Sequence, residues 1–64
     1  MNNKDKYLIG EKVKVQNVKE TGVVTKIDEK LGLIYVLFGR MNEQMYPYPE
    51  ALDQQIIIPL VHKK

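Results

Sequence analysis

Between residues 10 and 60 apolar side chains recur at alternate positions, and glycine or proline interrupts the pattern every few residues. That is the period of a β-strand with one face buried. In residues 11–18, Val13 and Val15 alternate with Lys12, Lys14 and Gln16, which predicts a half-buried strand with both valines inward. A turn is expected over 18–22, where Gly22 can take a positive φ without steric cost. Residues 22–28, GVVTKID, are rich in β-branched side chains and read as the second strand. Val24 and Ile27 stand three apart, so both face inward only if a bulge lies between them. After a loop over 28–32, the apolar run LIYVLF at 33–38 predicts the centre of the sheet. Ile34, Val36 and Phe38 are assigned to the core, and Tyr35 and Leu37 to the outer face.

A turn at 39–42 leads to a fourth strand over 43–48. Pro47 and Pro49 cannot donate to a ladder, so this strand lies at an edge or ends early. Residues 49–53, PEALD, suit one 3₁₀ turn, with Ala51 or Leu52 plugging an end of the fold. The last strand spans 56–58 and stops at Pro59. No segment sustains a helical period. The expectation is an all-β domain, a small five-stranded barrel with a short 3₁₀ turn before its last strand. It occupies residues 10–60, between a flexible N-terminal arm at 1–9 and a basic tail at 61–64.

Length bounds this picture more than composition does. Sixty-four residues allow one domain with a thin core. Without cysteine, neither a disulfide nor a thiolate metal site can reinforce it, and a reducing cytoplasm is the expected compartment. No apolar run is long enough for a secretory signal or a membrane span, so no membrane partner is expected. The Met1 start and short tail are read as those of a whole gene product. Ten Lys or Arg against eight Asp or Glu leave a net charge of +2, with much of the excess at the two ends. That balance suits a solvated surface and weighs little for nucleic acid.

The residues Gly10-Glu11-Lys12-Val13-Lys14-Val15, Gly22-Val23-Val24-Thr25-Lys26-Ile27, Tyr35-Val36-Leu37-Phe38-Gly39 and the YPYPEAL stretch at 46–52 together resemble SH3-like barrels of the Tudor and KOW type. They are also similar to the small barrels appended to some bacterial DNA helicases. The resemblance spans most of residues 10–60 and implies docking on protein or nucleic acid through loops and exposed strands, with no reaction.

Catalytic chemistry finds little footing. His62, the single histidine, stands in the tail, where nothing holds it against a nucleophile. Asp28, Glu29, Glu43, Glu50 and Asp53 lie in or beside turns and read as a solvated rim. The four glycines mark strand boundaries and form no phosphate loop. No catalytic residue, metal or cofactor is expected.

Tyr35, Tyr46 and Tyr48 fall on neighbouring strands and supply either a stacking or contact surface or cover for the core. Arg40 and Met41, in the turn beside Met45, form an adaptable contact patch or an ordinary turn. Alternation through Ile56-Ile57-Ile58 sends Ile57 outward if its neighbours face in, with Tyr7, Leu8 and Ile9 available to cover it. The first functional expectation is a non-catalytic regulatory module docking on an unidentified protein, within nucleic-acid machinery by analogy. Its candidate contacts are Tyr35, Leu37, Arg40, Met41, Met45, Tyr46, Tyr48 and Ile57, and weak self-association is compatible with it. The alternative is direct DNA or RNA binding through Lys12, Lys14, Lys26 and Arg40, with tyrosine stacking.

Overall fold

The computed structural model describes residues 6–60 and consists of five antiparallel strands: β1 (Lys12–Val15), β2 (Thr21–Asp28), β3 (Leu33–Phe38), β4 (Asn42–Pro47) and β5 (Ile57–Pro59). A 3₁₀ turn, Lys6–Leu8, precedes β1, and one α-helical turn, α1 (Glu50–Asp53), precedes β5. The all-β expectation holds. Strand order is β4-β3-β2-β1-β5, so the chain runs as a meander until β5 returns to pair with β1.

The sheet curls but does not close. Its edges, β4 and β5, share no ladder. Closure by hydrogen bonds was expected; instead β5 is three residues long and ends in proline, and α1 packs between β4 and β5. A stretch that short cannot extend a second ladder far. Curling is required all the same. Val13 and Val15 of β1, Val24 of β2, Ile34, Val36 and Phe38 of β3, Ile57 of β5, Leu8 and Ala51 form one buried cluster. Each such side chain contributes roughly 1.5–3 kcal/mol by leaving water, alanine less. No polar or charged side chain is buried among the described residues.

Local reasons underlie each element. The ladder of β2 on β3 pairs Val24 with Val36 and then Lys26 with Tyr35, skipping Thr25. This is the bulge that the Val24–Ile27 spacing demands; both Thr25 and Lys26 face out, and Ile27 returns inward against the core. In β3 the pattern follows the alternation, with Ile34, Val36 and Phe38 buried.

Several expectations need correction. Gly22 lies inside β2, away from the turn and without a positive φ. The turn falls at 16–20, where Asn17 takes φ 68°, a conformation that asparagine tolerates better than most residues. Gly22 is needed for space: an added Cβ would collide with Val36 Cγ1 and stand 2.9 Å from Phe38 Cε1. The single turn before β5 is α-helical, closed by Gln54 N–H donating to the Glu50 carbonyl at 2.8 Å. Its buried plug is Ala51, while Leu52 packs at the margin. Ile57 faces inward with no exposure, and Ile58 is the outward isoleucine. The pairing decides this, because Ile57 stands opposite the buried Val15.

The flexible arm expected over 1–9 is docked where it is described. Leu8 is buried, Ile9 forms a parallel bridge with Val24, and Gly10 N–H donates to the Val24 carbonyl at 2.7 Å. The remainder of that arm and the 61–64 tail, His62 included, lie outside the described residues.

Candidate functional site

Strand alternation places one face of β2–β3–β4 against the core and turns the other to solvent. Paired residues share a face, so the ladders map the outer surface directly. One row runs Lys26–Tyr35–Met45, and the next runs Lys12–Val23–Leu37–Glu43 across all four strands from β1 to β4. Leu33, opposite Asp28 and Pro47, extends the apolar strip at the end of β3. Tyr35, Leu37, Val23 and Leu33 are half-buried, and Met45 is 60% exposed. The strip is thus apolar at its centre and charged at its margins.

The polar contacts are those of a wet surface. Lys26 Nζ lies 5.6 Å from the centre of the Tyr35 ring and 3.9 Å from Asp28 Oδ2, with Lys26 largely in water. Exposed contacts of either kind stabilise by about 1 kcal/mol or less. Thr25 Oγ1 donates to Glu43 Oε2 at 2.7 Å, tying the bulge of β2 to β4 across the face. Asp28 Oδ1 accepts from Leu31 N–H at 3.0 Å and shapes the β2–β3 loop.

The fold sorts the expected contact residues into groups. Tyr35, Leu37 and Met45 meet on the outer face. Lys12, Lys14 and Lys26 share that face, Lys14 opposite Thr21 and the half-exposed Ile58. Arg40 and Met41 project at the β3–β4 turn, with Met41 almost fully exposed. Tyr46 and Tyr48 belong elsewhere: Tyr46 stands opposite the buried Ile34, and both rings pack against the core. Ile57 is inside. The eight expected contacts therefore do not assemble as a unit: Tyr46, Tyr48 and Ile57 turn toward the core, and Val23 and Leu33 join Tyr35, Leu37 and Met45 on the outer face.

Val23 and Leu33 are surface residues by the same alternation that puts Tyr35 and Leu37 outside. A second feature had no sequence signal. An open cleft of about 420 Å³ lies between the N-terminal turn and the β2–β3 loop, lined by Ile9, Ile27, Asp28 and the lysines Lys6, Lys26 and Lys30. Ile9, on its N-terminal wall, is held against β2 by the bridge to Val24. No group of three or more metal-ligating side chains occurs among the described residues.

Fold and face together define a small all-β domain that presents a mixed apolar and basic sheet surface. No family model, curated protein or solved structure matches the chain.

Proposed function

We propose that this protein is a non-catalytic docking module that binds a protein partner through the outer face of β2–β3–β4. The observation that carries the reading is the Tyr35–Leu37–Met45 cluster: an aromatic ring, a branched aliphatic and an exposed methionine on adjoining strands, with lysines around them. Aromatic and methionine side chains in that setting supply contact area and adaptability, and a charged rim supplies register. Five short antiparallel strands, a bulged second strand and a helical turn before the last strand support assignment to the SH3-like barrels of Tudor or KOW type. A role within nucleic-acid machinery rests on that likeness alone. The cysteine-free composition supports work in a reducing compartment such as the cytoplasm.

Direct nucleic-acid binding is the second reading, favoured by the convergence of Lys12, Lys14 and Lys26 on the same face as Tyr35. The two separate by experiment. In the protein reading, capture of a partner from native lysate is lost with Tyr35→Ala or Leu37→Ser and kept with Ile58→Ser, while labelled DNA and RNA stay unbound at low salt. Capture indifferent to Tyr35 and Leu37 refutes the face; tight low-salt binding of DNA or RNA that depends on the lysines selects the second reading.

A further inference from the structure

The two edges of the open sheet are unequal, and the pairing pattern shows why. Tyr48 N–H donates to the Gly32 carbonyl at 2.8 Å, which makes these residues a hydrogen-bonded pair. Antiparallel pairs alternate between bonded and non-bonded. Ile34–Tyr46, Val36–Gln44 and Phe38–Asn42 therefore exchange bonds, whereas Tyr35–Met45 and Leu37–Glu43 do not. The N–H and C=O groups of Glu43 and Met45 consequently point away from β3, out of the sheet.

At the other edge, Gln16 N–H donates to Ile56 O at 2.7 Å and Leu60 N–H to Lys12 O at 3.1 Å. By the same alternation the β5 residues whose backbone groups point away from β1 are Ile57 and Pro59, and proline has no N–H. Edge β5 is blunted; edge β4 carries two complete donor–acceptor pairs on strand residues that are nearly all exposed. Such an edge is a template for another strand.

We propose that β4 pairs antiparallel with β4 of a second copy of this chain, about a two-fold axis at Gln44. In this register each Glu43 faces Met45 of the second copy, and the two residues exchange both backbone hydrogen bonds. The strand is its own complement here. Centring the axis on Glu43 would set two carboxylates opposite each other, and centring it on Met45 would set Glu43 against Pro47, which lacks a donor. With the axis at Gln44 the two exposed glutamines meet on the inner side of the ladder. Each already donates to Asn42 Oδ1 at 2.7 Å and keeps a further N–H and its carbonyl for the amide opposite. The two curled sheets become one continuous sheet, and the two Tyr35–Leu37–Met45 faces adjoin. The pairing uses backbone groups and stands apart from the docking proposal, which the Tyr35 and Leu37 variants test.

Sedimentation of the intact chain from micromolar to millimolar concentration tests the pairing, together with amide exchange at the top of that range. The expected result is a monomer–dimer equilibrium in which Glu43 and Met45 amides gain protection with concentration. Met45→Pro removes an outward donor and should abolish the dimer; Met45→Glu, which opposes Glu43 of the second copy, should do the same. Met45→Lys opposes that carboxylate with a cation and should keep or tighten the dimer. Circular dichroism of each variant checks that it folds, and the exchange readout on the unaltered chain stands whether or not it does. A chain that stays monomeric throughout, or a dimer whose Glu43 and Met45 amides remain unprotected, overturns the proposal. So does a dimer that Met45→Lys weakens as much as Met45→Glu.

Discussion

At the scale of single residues, Gly22 shows how a close approach of backbone to side chain decides an amino acid. It sits opposite Phe38 in the ladder with an ordinary strand φ, and the space a methyl group needs is taken by Val36 and Phe38. Gly22→Ala is expected to cost about 1–3 kcal/mol through overpacking. Val36→Ala should cost roughly 2–3 kcal/mol by leaving a cavity beside a residue with no exposure. Both alterations concern one small volume, so they are not independent: the Cγ methyl groups that Val36→Ala removes include the one an alanine at 22 would strike. The double variant should be more stable than the sum of the two costs predicts, by on the order of 1 kcal/mol. Urea denaturation of the four proteins in the cycle measures it; additive costs would show that the backbone of β2 yields instead.

At the scale of elements, the docking of Leu8 matters most. It belongs to a three-residue 3₁₀ turn and is as buried as the strand core. Leu8→Ala should cost about 2–5 kcal/mol. A domain of this size commonly has only about 3–5 kcal/mol in hand, so a large fraction of that variant should be unfolded at 25 °C, visible as lost near-ultraviolet dichroism and a lowered urea midpoint. A loss below about half a kcal/mol would mean that the N-terminal turn contributes nothing. Such an anchor is hard to read from sequence because one buried residue between Lys6 and Gly10 has no period. Strands with alternating polarity were legible for the opposite reason: Val13 and Val15 stand against lysines, and the Val24–Ile27 spacing announces its bulge. The three consecutive isoleucines carry no polarity contrast, so the phase of β5 is settled only by its register with β1. The candidate site divides the same way. Alternation alone exposes Tyr35 and Leu37, but which neighbours join them depends on ladder register, information that resides in the partner strands.

At the scale of the molecule, stability and binding draw on different forces, and salt separates them. The core is apolar, the described residues bury no charge, and the ion pair between Lys26 and Asp28 is exposed and loose. Added salt screens such a pair without touching the packing, so the urea midpoint should move little between low and moderate sodium chloride. Binding responds according to what occupies the outer face. A nucleic-acid backbone neutralised by Lys12, Lys14 and Lys26 would release counterions, giving a slope of log K against log salt of roughly −2.7 on duplex DNA. A protein seated on Tyr35, Leu37 and Met45 buries apolar area, which salt does not screen, and its slope should be shallower than about −1. Measuring captured partner and labelled DNA across the same salt series therefore reads the occupant from one quantity. A partner whose affinity collapses as steeply as the DNA value would show that the lysines, rather than the aromatic and aliphatic strip between them, hold it.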